Sequence, residues 1–264
     1  MAHELSLPPA RRTVVAGNRN LDTSAIWRAR TDLAACLRMA ARLGLEEGIC
    51  NHFSAVVPGH PDLFLVNRLG WAFAEATASS LLICTMDGQV VAGDGVPEAT
   101  AFFIHACLHR QDPRIGAAFH THMPNATALS MTAGPPFVWA GQTALKFYGR
   151  IAVDEAYNGL ALDTREGDRI AAALGGCDIL FMKNHGVMVC APTIAEAWDD
   201  LYYLERAAEV QVKAMSTGRP LVAVSPQVAS DTARQMREGD AQSARLHLES
   251  ICRILDRSEP EYRG

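Results

Sequence analysis

The sequence predicts one large domain of mixed helix and strand, of the α/β or α+β kind, and three observations carry that prediction. The chain has 264 residues, 49% of them hydrophobic and 20% charged, which is enough apolar material for one sizeable core. Stretches with apolar residues at helical spacing alternate with short runs of Val, Ile, Leu and Phe bounded by turn residues. No internal repeat and no low-complexity linker divides the chain.

Residues 1–22, with Pro8-Pro9 and Arg11-Arg12, read as an N-terminal arm that orders only on docking, and 23–264 as the single domain. Ile26, Leu33, Leu37, Ala40 and Leu43 recur at helical spacing and Gly44 stops the run, which predicts an amphipathic helix from Thr23 to Leu43. Four strands follow at Phe53 to Val57, Leu63 to Val66, Leu81 to Thr85 and Gln89 to Ala92. Pro58-Gly59-His60-Pro61 and Met86-Asp87-Gly88 read as hairpin turns, so neighbouring strands here are antiparallel. A helix from Glu98 to His109, a strand from Ala117 to His120 and a short helix from Asn125 come next. Between Pro135 and Thr164 no element is assigned. Thr164 to Leu174 is a helix closed by Gly175-Gly176. Ile179 to Met182 and Val187 to Val189 are strands flanking the turn Lys183-Asn184-His185-Gly186. Thr193 and Glu196 have capping-box spacing and open a helix to about Met215, with Ile194, Trp198, Leu201, Leu204, Ala208 and Val212 as its buried stripe. A last helix spans Ala229 to Leu255, with a break at Gly239.

Lys and Arg total 24 against 29 Asp and Glu, a net charge of -5, which leaves no basic excess for a nucleic-acid backbone or an anionic membrane. The apolar runs fall well short of the roughly 20 residues that span a bilayer. Glu4 and the lack of an apolar signal core speak against secretion. The seven cysteines form no C-x-x-C pair, so neither a disulfide framework nor a cysteine zinc finger is expected, and the thiols suit a reducing cytoplasm.

The histidines carry the chemistry. In His120-Thr121-His122, residues two apart on an extended chain face the same side, so both imidazoles can reach one cation. A third ring from another strand end completes a facial set with open positions, and His185, next to Gly186, is the candidate. The other reading of the H-x-H pair is strand packing. His105 and His109, four apart on one helix face, offer a competing site, but with no glutamate between them they read as helix packing or as support for the ligands.

The segment from Ala101 to Leu129 holds a helix histidine, an Asp-Pro turn, an apolar strand and H-x-H followed by a small-residue helix. With Asn51-His52-Phe53-Ser54, Phe64 to Asn67, Gly70, Thr77 to Leu81 and Lys183-Asn184-His185-Gly186, it resembles the class II aldolase/adducin superfamily over nearly the whole chain, and Leu255 to Arg263 resembles the tail of an adducin-like bacterial subgroup. The resemblance implies a three-layer α/β/α fold around a mainly antiparallel sheet. It also implies a homotetramer with sites at subunit boundaries, and a divalent cation on His120, His122 and His185. Three neutral imidazoles suit zinc, with manganese, iron or cobalt where more water ligands are kept.

One position departs from the family pattern. The aldolases' acid/base glutamate stands four residues before the helix histidine, and here that residue is Ala101. Glu98 is the candidate substitute, although its first reading is a carboxylate at the helix N-terminus favoured by the helix dipole. The sugar-phosphate serines are also missing, since the local sequence is Val96-Pro97-Glu98-Ala99-Thr100. Metal ligands without the base suit decarboxylation of a small hydroxy, keto or aromatic acid, with aldol cleavage as the alternative. A non-catalytic adducin-like assembly protein is the rival from another class. The resemblance places Asn51, Ser54, Asn67, Ser79 and Ser80 on loops lining the pocket, as uncharged hydrogen-bond partners for a small anionic substrate. Their other reading is turn and cap chemistry. Arg68 adds a candidate cation, and Trp71 and Phe73 form either an apolar wall or core. Tyr202 and Tyr203 read as core and interface.

Overall fold

Thr23 Oγ1 accepts the amide of Ile26 at 3.2 Å and so opens helix α1, Ser24–Arg42, which ends where Gly44 turns to φ +65°. The computed structural model describes residues 19–161 and 163–264; the expected N-terminal arm lies outside these residues except for 19–22.

After α1 the chain lays down four antiparallel strands: β1 (His52–Val57), β2 (His60–Val66), β3 (Leu82–Thr85) and β4 (Val90–Ala92). Helix α2 (Ala99–Gln111) crosses to β5 (Ala117–Thr121), which pairs antiparallel with β1, bringing His52 opposite His120. Two short helices, α3 (Pro124–Ser130) and α4 (Gln142–Leu145), lead to β6 (Ile151–Asp154). Helix α5 (Thr164–Leu174), β7 (Ile179–Met182) and β8 (Gly186–Ala191) complete the sheet in the order β4-β3-β2-β1-β5-β8-β7-β6, where only β6 and β7 run parallel. The expected three-layer architecture and mainly antiparallel sheet are present.

Alternation along the strands sorts the layers. Phe53, Ala55, Leu63, Leu65, Phe119, Phe181 and Val189 face one side and bury against α1 and helix α6 (Ile194–Met215), where Trp198, Leu201 and Leu204 are fully enclosed. Helix α8 (Asp240–Ser258) seals this layer with Leu248, Ile251 and Leu255. On the other side Ala118, Leu180, Met188 and Cys190 meet Ile104 and Leu108 of α2 and Ile170 and Leu174 of α5. Gly167 lets α5 touch α2, since a Cβ there would stand 2.5 Å from the carbonyl oxygen of Phe103.

One expectation needs amendment: the stretch after Pro135 contains α4 and β6. The break expected at Gly239 is present and divides the last stretch into α7 (Pro226–Arg237) and α8, with Ser225 capping α7 through the amide of Val228. Among the described residues, no helix is long and apolar enough to cross a membrane.

Candidate metal centre

Even-numbered residues of β1 and β5 face the α2 layer, so His52, Ser54, His120 and His122 emerge on one side of the sheet. The β7–β8 turn delivers His185 to the same place. Asn184 takes a left-handed conformation there, φ 57°, and Gly186 brings the turn against β5. A Cβ on Gly186 would stand 2.7 Å from the carbonyl oxygen of Thr121 and 2.8 Å from the ring of His122. Gly186→Ala is therefore expected to push the His122 ring aside and weaken metal binding by about 10 to 100-fold, the cost of disturbing a ligand's support, readable by metal titration. Unchanged affinity would show that the turn does not set this geometry.

The rings of His120, His122 and His185 form a nearly equilateral triangle, with centroids 4.9, 4.9 and 5.0 Å apart. One ligand nitrogen from each lies within 4.8 Å of the others. Hydrogen bonds orient two of these rings. Nδ1 of His120 lies 2.9 Å from the carbonyl oxygen of Val187, which can only accept, so Nδ1 carries the proton. Nδ1 of His122 donates to the carboxylate of Glu47 at 2.5 Å. With both rings neutral, as metal ligation requires, both Nε2 atoms are bare and face each other at 3.1 Å. Two lone pairs at that distance repel, and a cation between them removes the repulsion. Nitrogens sharing one tetrahedral zinc ion at ~2.0–2.1 Å would sit about 3.3 Å apart, so the donor set fits a divalent ion. Burial first, then the neighbouring imidazoles, holds His120 well below the ordinary histidine range, and burial with His122 pushes His185 down to about 4. Both rings are thus neutral, as metal ligation requires.

Glu205 of α6, almost wholly buried, accepts the amides of Asn125 and Ala126 at 2.9 Å each. It caps the start of α3 and fixes the chain direction immediately after His122.

The polar candidates divide. Asn51 is 2% exposed, and its Oδ1 accepts the amide of Glu47 at 2.6 Å and that of His122 at 3.5 Å. Among the described residues its Nδ2 has no partner. Asn67 holds Asn51 in place, donating to its carbonyl oxygen at 3.2 Å and accepting the amide of Phe53 at 2.9 Å. The Ser54 hydroxyl points under α2, between His105 and His109. Ser79 and Ser80 close a turn with Thr77, whose amide donates to Ser80 Oγ at 2.9 Å. The guanidinium of Arg68 stacks on Trp71 at 4.5 Å, 3.6 Å from Asp94. Glu98 is the N-cap of α2, accepting the amide of Ala101 at 2.9 Å and the hydroxyl of Thr100. Ala101 itself is fully buried, Phe73 packs on Phe53 in the core, and Tyr202 packs against His247.

Sequence reasoning passed over Glu47, His52 and Glu205. His52 shares the strand parity of Ser54, which was the available signal. Glu47 and Glu205 had none, because each meets its partner across more than seventy residues of chain.

The family described as Class II Aldolase and Adducin N-terminal domain matches residues 31–212. A Caulobacter vibrioides protein, provisionally named a class 2 aldolase protein, is 35% identical and covers 91% of this chain and 93% of its own length. Decarboxylase NovR of Streptomyces niveus is 32% identical over 77% of this chain and 75% of its own. The crystal structure of an aldolase II superfamily protein from Pseudomonas syringae superposes with a TM-score of 0.85 at 31% identity, covering 92% of this chain and 97% of that one.

Proposed function

We propose that this chain, which belongs to the class II aldolase and adducin family, is a metal-dependent carbon–carbon lyase that decarboxylates a small hydroxy, keto or aromatic carboxylic acid. The observation that carries the reading is the convergence of His120, His122 and His185, with the first two Nε2 atoms 3.1 Å apart, beside a helix with alanine at 101 in place of the family's carboxylate. His120, His122 and His185 would hold the ion, zinc in first place and manganese, iron or cobalt otherwise. When bound, such an ion supplies a Lewis acid for the negative charge left on the substrate as carbon dioxide departs.

This chain's own residues do the rest. Glu47 and the Val187 carbonyl keep both rings turned inward. Asn51, with a buried donor to spare, binds a substrate oxygen. As the bond to the carboxylate breaks, its electron pair stays on the substrate, and a proton from solvent later replaces the lost group. Aldol cleavage asks more, because the hydroxyl that becomes the aldehyde carbonyl must lose its proton to a base, and Glu98 is occupied with the amide of Ala101.

A sugar phosphate fits poorly. The cations lining the cavity beside His185 are committed: Arg169 to Asp154 at 2.8 Å and to Glu166, and Lys183 to the carbonyls of Thr132 and Gly134 at 2.7 and 2.9 Å. The name of the Streptomyces relative supports decarboxylation. The proposal includes a cytoplasmic homotetramer with sites at subunit boundaries, for which light scattering should report the mass of four chains; a monomer at micromolar concentration would refute the assembly.

Protein purified with neither added metal nor chelator, screened for carbon dioxide release from small carboxylic acids and for aldol condensation with aldehydes, tests the function. One metal ion per chain with carbon dioxide release is expected. Condensation alone would favour the aldolase, and a metal-free, inactive protein the adducin-like scaffold.

A further inference from the structure

Behind the triad runs a line of buried polar groups with no assigned role. Nδ1 of His109 lies 2.9 Å from the carbonyl oxygen of Ile115, and its Nε2 lies 2.7 Å from the hydroxyl of Ser54. That hydroxyl also meets Nδ1 of His105, whose Nε2 lies 2.7 Å from Nδ1 of His52. The ring of His52 rests against that of His120 with centroids 4.8 Å apart. None of the four residues is more than 5% exposed.

The partners permit one order of protons. The Ile115 carbonyl only accepts, so His109 carries its proton on Nδ1 and offers Nε2 as an acceptor. Ser54 therefore donates to His109 and accepts from Nδ1 of His105. His105 is left with an unprotonated Nε2, which takes the Nδ1 proton of His52. His52 ends the line with its own Nε2 bare. A second proton on any ring would bury a charge, and the hydrogen-bond partners of His52, His105 and His109 are imidazoles, a hydroxyl and a carbonyl, with no carboxylate among them to offset it. Ala101 matters here, because it stands one turn before His105 on α2, where the family's glutamate would be. The outer end is a carbonyl that cannot take up a proton, so the line orders tautomers and does not conduct.

We propose that Ser54, His105 and His109 are positioning residues that set the tautomer of His52, so that its bare Nε2 accepts a hydrogen bond from a substrate hydroxyl and selects hydroxy acids over acids without one. The preference for a hydroxyl rests on the lyase reading; the proton order does not.

Nitrogen-15 NMR of histidine-labelled, zinc-loaded protein separates the two. His52, His105 and His109 should each show a protonated Nδ1 and a bare Nε2 at neutral pH. An Nε2-protonated or doubly protonated ring at His52 or His105 overturns the order without needing any variant. Ser54→Ala should turn His105 and His52 into tautomer mixtures with metal content intact, and Ser54→Thr, which keeps the hydroxyl, should restore them; unchanged tautomers in Ser54→Ala also overturn it. Glycolate should shift the His52 Nε2 resonance and acetate should not. Equal shifts with both, or none with glycolate bound, remove the hydroxyl preference. Failure of both acids to bind sinks that preference together with the lyase reading, while the tautomer pattern still decides the order.

Discussion

His120→Ala and His185→Ala are each expected to abolish metal binding at purification concentrations and to lower activity by more than about 10²-fold. The bound comes from the milder lesion: losing a hydrogen-bond partner of a ligand already costs roughly 10 to 100-fold, and losing the ligand itself costs more. Each ring is one corner of a triangle with sides near 5 Å, so deleting one leaves two nitrogens, fewer than a neutral-imidazole site needs to hold zinc. The two variants damage the fold differently. His120 is buried in β5, where truncation opens a small cavity beside His52, whereas His185 lies in a turn. Similar loss in both therefore reads as loss of the site. Elemental analysis and the carbon dioxide assay check this, and retention of metal and activity in both variants would remove the triad from the function.

What the sequence made legible follows from the range of each interaction. The pair His120 and His122 could be read because strand alternation is local, and α5 because its helical spacing ends on Gly175, which takes φ 58°. Strand β6 could not. Its four residues carry too little periodicity, and it exists as a strand through pairing with β7, which α5 separates from it in the chain. The juxtaposition of His52 and His120 needed the antiparallel register of β1 on β5, a fact about pairing and not about either segment. The same holds for Ser54: as a serine near a recognised motif it read as a substrate contact, and only the docking of α2 over β1 gives its hydroxyl two imidazoles.

The second large effect lies far from the triad in sequence. Lys146→Met is expected to destabilise the protein by about 3–5 kcal/mol at neutral pH, the usual cost of leaving a buried charge without its partner. Lys146 is 7% exposed and donates to Asp199 at 3.0 Å and to Asp240, with Asp200 3.2 Å away. Arg150 covers the other side of Asp200 at 2.5 Å and reaches Asp178 at 2.6 Å. His247 donates to Asp199 at 2.8 Å. Without the lysine, Asp199 and Asp200, each 3% exposed, share one full cation and an imidazole. The methionine fills the space of the stem, so the loss is electrostatic. The sign of the pH dependence follows: the stranded carboxylates can take up protons, so the penalty shrinks as pH falls through the acid range, and adding Asp199→Asn should recover part of it at neutral pH. The network ties α4, β6 and α8 to α6, and α6 also carries Glu205, which anchors the chain just beyond His122. Chemical unfolding of the single and double variants measures the effect. A loss below about 1 kcal/mol, the scale of an exposed pair, would show that these charges are solvated and not a buried tie.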